Sequence, residues 1–242
     1  MPNNIFTDWV AECYDDDSEM NDPGLLDRTV SFLADAARGG PVLEFGIGTG
    51  RVALPLSRTG LAVHGIDISA DMVSQLRSKP GAEAIGVTIG DFATTHVPGA
   101  FSLIYLVFNV ISNLTTQDEQ VECFRNAARH LSPGGRMVIE LGVPDLQRFP
   151  PGTLAQPFEI SPAHIGFDTI DVSTQQGASH HYLIRGDRVA LFESPFRYAW
   201  PAELDLMARI AGLTLRERWD DWDRSPFTSE SRKHISVWER PH

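Results

Sequence analysis

The chain of 242 residues is poor in lysine: Lys79 and Lys233 are its only two, and arginine brings the basic total to 20 against 32 acidic residues. The formal charge of −12 argues against DNA or RNA as a substrate, because nucleic-acid enzymes draw much of their affinity from a basic face that neutralises phosphates. Cysteine is as scarce. Cys13 and Cys123 stand far apart, each in a segment that reads as helix, which excludes a disulfide framework or a cysteine-built metal centre and suits a reducing, cytoplasmic setting. No apolar run approaches the roughly 18 residues of a membrane span. The opening Met1-Pro2-Asn3-Asn4 lacks a basic stretch followed by an apolar one, so no secretory signal is expected. Repeats and low-complexity tracts are absent. Hydrophobic residues make up 42%, ordinary for a globular chain, and the length suffices for one α/β domain with an inserted cover.

What is present is a glycine turn. Val42-Leu43-Glu44-Phe45-Gly46-Ile47-Gly48-Thr49-Gly50-Arg51 reads as a buried strand, a tight turn and the start of a helix. Three glycines at alternate positions let a ligand approach the backbone closely, and the N–H groups of a following helix offer a partial positive end. The spacing differs from the G-x-G-x-x-G of dinucleotide folds, whose third glycine would occupy the place of Arg51, and no lysine follows as a Walker loop requires. A second apolar strand, Val63-His64-Gly65-Ile66-Asp67-Ile68-Ser69, ends in an acid 17 residues after Gly50. Two carboxylate oxygens there suit the vicinal hydroxyls of a ribose, whichever adenosine cofactor carries it. The competing role for Asp67 or Ser69 is to cap the next helix. A third acid follows in Gly90-Asp91-Phe92. Asp91 could equally be a turn residue, and Met72 core filler.

Hydrophobic periodicity predicts a helix at 24–38, a strand at 41–45, a helix at 49–59, a strand ending at Asp67, a helix at 70–78 capped by Ser69, and strands at 84–89 and 101–108. A helix at 117–131 stops at Ser132-Pro133-Gly134-Gly135, and a strand follows at 136–141. Continuous apolar strands alternating with helices imply a parallel sheet covered on both faces. The pattern then turns strand-rich over 158–199, with strands at 165–172, 180–185 and 188–197 and turns at Gln176-Gly177 and Arg185-Gly186-Asp187. A helix at 202–211 and strands at 213–219 and 234–239 complete the chain.

The motif E-x-G-x-G-x-G from Glu44, with Asp67 and Asp91 after the next two strands, resembles the class I S-adenosylmethionine-dependent methyltransferases over about 25–141 and 201–240. The resemblance implies an α/β fold: a Rossmann-like, seven-stranded, mostly parallel sheet with a terminal antiparallel hairpin, plus an inserted antiparallel β lid after strand five. It divides the chain into a cofactor-covering segment (1–24), a cofactor-binding core (25–145 and 200–242) and a substrate-covering lid (146–199). It implies S-adenosyl-L-methionine as the cofactor, held by Glu44, Gly46, Gly48, Gly50, Arg51, Asp67, Ile68, Met72, Asp91 and Phe92. Glu44 positions the methionine end, Asp67 the ribose and Asp91 the adenine amino group, with Phe92 and Met72 on the two faces of the ring. A looser likeness to sugar-amine N-methyltransferases rests on layout and on Tyr14-Asp15.

The expected reaction moves a methyl group to N or O of a small metabolite by in-line displacement, where the protein mainly aligns the acceptor. Tyr14, His181 and Asn109 are the candidate catalytic residues. Neighbouring strand residues point to opposite faces, so only one of His180 and His181 can look into the pocket. Asn109 either touches cofactor or substrate or caps the turn after strand four. The (N/D)-P-P-(Y/F/W) tetrad of base- and amide-methylating enzymes is missing after strand four. Asn109 has no aspartate beside it, so no Mg²⁺ and no other metal is expected. Trp219-Asp220-Asp221-Trp222-Asp223 could receive a cationic amine, and Arg197 with Trp200 a carboxylate; either stretch could instead be ordinary surface. The alternatives weighed are a nicotinamide-dependent oxidoreductase and a non-catalytic cofactor-binding module. Monomer and homodimer both remain open.

Overall fold

The computed structural model describes residues 22–242; Tyr14, with Trp9, Cys13 and Asp15, lies outside them. Helix α1 (Pro23–Ala37) starts where Asp22 accepts the Gly24 N–H at 2.9 Å and Pro23 takes the first helical position. Proline suits that position, where its missing N–H would have had no partner. The main sheet contains β1 (Val42–Phe45), β2 (Val63–Asp67), β3 (Gly86–Ile89), β4 (Phe101–Leu106) and β5 (Leu131–Gly142). Between them run α2 (Ala53–Ser57), α3 (Ala70–Arg77) and α4 (Gln117–His130). A second sheet follows, formed by β6 (Gln156–Ile160), β7 (His164–Asp171), β8 (Gln176–Arg185) and β9 (Arg188–Arg197). Helix α5 (Pro201–Ile210) returns the chain to the main sheet, which β10 (Thr214–Trp219) and β11 (Lys233–Glu239) complete.

The main sheet has the order β10-β11-β5-β4-β1-β2-β3. Strands β1 to β5 are parallel, and β11 is antiparallel to both β5 and β10. Every side chain of β1 is buried, as expected of a strand covered on both faces. Alternate residues serve opposite cores. Leu43 and Phe45 join Ile104, Phe124 and Trp238 on one face; Val42 joins Leu103, Tyr105, Val138 and the α1 residues Phe32 and Leu33 on the other. Complete burial of each such side chain contributes about 1.5–3 kcal/mol. Helix α4 opens on a reciprocal cap in which Thr116 and Glu119 satisfy each other's backbone N–H, as the Thr-x-x-Glu spacing allows. Among the described residues no helix is long and apolar enough to cross a membrane.

Three sequence expectations need correction. Ser132-Pro133-Gly134-Gly135 does not separate helix from strand. It lies inside β5, as an irregularity in the pairing with β4, with Gly134 at φ 75° donating its N–H to Arg240 O at 2.8 Å. Helix α2 is five residues long, not eleven, because 51–52 form a turn and no side chain caps its start. Gln176-Gly177 is strand. The turn comes at 172–175, where Asp171 Oδ1 accepts both the N–H and the hydroxyl of Ser173 at 2.8 and 2.6 Å.

The second sheet pairs in chain order, antiparallel throughout. Its last strand is clamped to the main domain by Arg197. That side chain donates to Gln120 Oε1 at 2.6 Å, to Glu203 Oε1 at 2.7 Å and to Gln175 Oε1 at 3.2 Å. Gln120 in turn donates to the Arg197 carbonyl at 3.1 Å. The buried guanidinium is thus consumed by an internal carboxylate and does not await one from a substrate.

Candidate active site

Gly46, Gly48 and Gly50 all adopt left-handed backbone, at φ 76°, 52° and 77°, a region costly for side-chain-bearing residues. Space is equally restrictive. A Cβ on Gly46 would stand 2.6 Å from Val110 Cγ1, one on Gly50 would overlap Leu76, and one on Gly48 would meet Met72 Cε at 3.3 Å. The turn is therefore backed by Val110 from the segment after β4 and by Leu76 and Met72 of α3.

Asp67 closes β2 and binds the turn directly. Its Oδ2 accepts the Gly48 N–H at 2.6 Å and its Oδ1 the Ser69 N–H at 2.8 Å. Burial raises its pKa, while the N–H groups of Ser69, Gly48 and Ile68 oppose the rise. Three N–H donors on the four lone-pair sites of the carboxylate leave one for a ligand. Ser69, not Asp67, caps α3 by accepting the Met72 N–H at 3.2 Å.

Glu44 sits in the interior of β1, 4% exposed, and accepts the Tyr105 hydroxyl on Oε2 at 2.7 Å. Burial pushes its pKa up to about 8, against the opposing Tyr105 hydrogen bond and the charge of Arg51. Asp91 follows β3 half-buried and accepts the Ala93 N–H at 2.8 Å. Met72 is buried and Ile68 half-buried. Phe92 turns its ring into the core, stacked on Phe45 with centroids 5.8 Å apart. The guanidinium carbon of Arg51 stands 5.3 Å from the Phe108 ring centroid. These residues gather at the carboxyl ends of β1 to β4, where open α/β sheets bind ligands.

Asn109 makes no side-chain bond to cap the turn that follows it; its Oδ1 instead accepts the Gly142 N–H at the end of β5 at 2.8 Å. His180 and His181 occupy opposite faces of β8. His180 stacks on Phe167 at 4.8 Å and bonds Thr169 at 3.2 Å. His181 lies on the sheltered face, to which Phe192 and Ser194 also belong, while Leu191 and Glu193 on the other face are exposed. It stacks on Phe192 at 4.3 Å and shares a 3.1 Å contact with the His164 ring. Burial and the two neighbouring imidazoles lower its pKa to about 4. On the same face Asp168 accepts the Ser179 hydroxyl at 2.7 Å. Among the described residues no three His, Cys, Asp or Glu side chains gather to hold a metal.

The Trp219–Asp223 stretch is not an open receptacle. Trp222 is buried against Phe32, centroids 5.3 Å apart, and donates to Glu140 at 3.2 Å. Asp221 binds its own turn through Ser225, and Asp223 pairs with Arg28 at 3.3 Å. Two residues that shape the site went unread in the sequence, Tyr105 and Glu140. The only local signal for Glu140 was an acid within the apolar run Met137-Val138-Ile139-Glu140-Leu141.

The turn fits an adenosyl ligand on its own terms: three of its five residues, Gly46, Gly48 and Gly50, carry no Cβ, and the carboxylate of Asp67 flanks it. Known proteins agree. The family described as "Methyltransferase domain" matches residues 42–135. The cypemycin N-terminal methyltransferase of a Streptomyces species is 26% identical over 98% of both chains. Among solved structures, the CcbJ methyltransferase from Streptomyces caelestis superposes with a TM-score of 0.88 at 35% identity, over 98% of each chain. CalS10, an amino pentose methyltransferase from Micromonospora echinaspora with bound cofactor, shares the fold at a TM-score of 0.71 and 19% identity, over 99% of each chain. Membership sets aside the nicotinamide-dependent and non-catalytic alternatives: with this turn, this sheet order and these relatives, the chain belongs to the class I S-adenosylmethionine-dependent methyltransferases.

Proposed function

We propose that the chain transfers a methyl group to a nitrogen of a small metabolite, an amine presented between the glycine turn and the sheltered face of the second sheet. The observation that carries nitrogen over oxygen is the weakness of His181 as a base, its pKa lowered to about 4. An alcohol must shed a reluctant proton as it attacks and calls for a strong base, whereas a free amine attacks with its lone pair and releases its proton afterwards. The names of the cypemycin N-terminal methyltransferase and of the amino pentose methyltransferase CalS10 point the same way. The acidic balance of the chain favours a small acceptor over nucleic acid.

Bound cofactor supplies an already activated methyl on a sulfonium sulfur. The chain's own residues bind and align. Gly46, Gly48 and Gly50 bring backbone to the ligand; Asp67 and Asp91 accept from its hydroxyl and amino groups; Arg51 supplies charge, and Glu44 a neutral carboxyl, at its methionine end; Ile68, Met72 and the backbone of Phe92 bound the adenine site. The neutral rings of His181, Phe192 and Phe158 give the acceptor an apolar wall, and Asp168 accepts a hydrogen bond from the N–H of the amine. Such alignment supplies most of the rate in a displacement of this kind.

The test is a mass-spectrometric screen with S-adenosylmethionine against paired small amines and alcohols of matched skeleton. Methylated amine together with demethylated cofactor is expected. Methylation of the hydroxyl partners alone would reverse the assignment.

A further inference from the structure

The turn after β4 carries two successive non-glycine residues in left-handed backbone, Phe108 at φ 58° and Asn109 at φ 61°. Such conformations persist only where the surroundings over-determine them, and they concentrate at functional sites. Asn side chains tolerate this region; a bulky Phe is a genuine outlier. The turn also meets the cofactor site twice, through Val110 against Gly46 and through the Phe108 ring beneath Arg51.

Two side chains tie it to β5. Asn109 Oδ1 accepts the Gly142 N–H at 2.8 Å. Glu140, at the end of β5 with a side chain 13% exposed, accepts the Phe108 N–H on Oε2 at 3.0 Å, and its own carbonyl accepts the Asn109 N–H at 3.3 Å. The other oxygen, Oε1, accepts from Trp222 Nε1 at 3.2 Å and faces Lys233 Nζ at 3.4 Å. A single carboxylate thereby joins the strained turn, β5 and the 220–232 segment that precedes β11.

We propose that Glu140 is a positioning residue for the cofactor site: by accepting the Phe108 N–H it holds the left-handed turn against the glycine turn. Without it Phe108 falls back to ordinary backbone, and Val110 and the Phe108 ring leave Gly46 and Arg51. The inference rests on the cofactor and is independent of which acceptor atom is methylated. Glutamine cannot replace the carboxylate. It offers one acceptor oxygen for three donors, and its NH₂ must face a donor on one side.

The experiment is a double-mutant cycle read by calorimetric titration of S-adenosylhomocysteine into the full chain, for wild type, Glu140→Gln, Phe108→Gly and the double variant. Glycine adopts positive φ without strain, so it removes the need for a holder. With Phe108 in place, Glu140→Gln should weaken binding about tenfold, equivalent to about 1.4 kcal/mol. In the Phe108→Gly background the same change should cost less than about threefold. A merely structural glutamate would lower the melting temperature but cost the same factor in both backgrounds, and that equality would overturn the proposal, as would unchanged binding by Glu140→Gln. Glu140→Asp keeps the charge beside Lys233 yet withdraws it by one methylene from the Phe108 N–H. It gives the same comparison if the glutamine variant does not fold.

Discussion

Replacing Glu44 by glutamine gives the most direct reading of the electrostatics beneath the glycine turn. The folded chain holds this carboxyl at a pKa of about 8 because burial penalises its charge, while an exposed glutamate titrates near 4.5. Below pH 4.5 folded and unfolded chains both carry the proton, and Glu44 contributes no slope. Between 4.5 and about 8 only the folded chain keeps it, so stability falls as pH rises through the window, by about 1.4 kcal/mol per unit. Between pH 5 and 7 the loss amounts to about 3 kcal/mol. Glutamine is neutral at every pH, nearly the same size, and its carbonyl still accepts the Tyr105 hydroxyl. Urea unfolding without cofactor, at half-unit steps from pH 5 to 7, should therefore show wild type and Glu44→Gln drawing apart, the variant gaining on wild type as pH rises. Taking the difference between the two proteins cancels every other titrating group. Two curves that run parallel across the window would refute the claim that Glu44 is held neutral by burial.

Two further outcomes follow from the geometry. Asp67→Ala should weaken S-adenosylhomocysteine binding by about 1–3 kcal/mol, measured by calorimetry, since it removes both the remaining acceptor site and the acceptor of the Gly48 N–H; an unchanged dissociation constant would remove Asp67 from the site. Arg197→Met should cost about 1–3 kcal/mol in urea unfolding, because it leaves the buried Gln120 Oε1 without its donor and half-buried Glu203 with only the Gln117 and Gln175 amides, while cofactor affinity stays within about twofold.

Much of the cofactor half was legible because its signals are local. Parallel strands covered on both faces read as unbroken apolar runs, and the acids Asp67 and Asp91 stand where two of those strands end. The parity of neighbouring strand residues likewise separated His180 from His181. The partners those residues find were not legible. Tyr105 meets Glu44 across 61 positions, and Trp222 meets Glu140 across 82; no local pattern encodes such pairings. Strand β6 escaped notice because Gln156-Pro157-Phe158-Glu159-Ile160 contains a proline and a pairing irregularity, and both break the two-residue rhythm. Local side-chain hydrogen bonds misled in another way. Asp171 fixed a turn just ahead of the Gln176-Gly177 pair that looked like one.

The placement of β11 has a consequence for how the chain is made. This strand, drawn from the last stretch of sequence, lies between β5 and β10 and pairs with β5 from Arg136 to Gly142. A nascent polypeptide that has emerged only as far as α5 already has the glycine turn and the parallel strands. It nevertheless presents the β5 flank, with Val138 and Ile139 beside it, as an unpaired edge. Bare edges of this kind recruit other chains, and partly folded intermediates aggregate through them. Translation pauses or truncations upstream of Lys233 should thus yield insoluble material even though the glycine turn and the acids Asp67 and Asp91 have been synthesised.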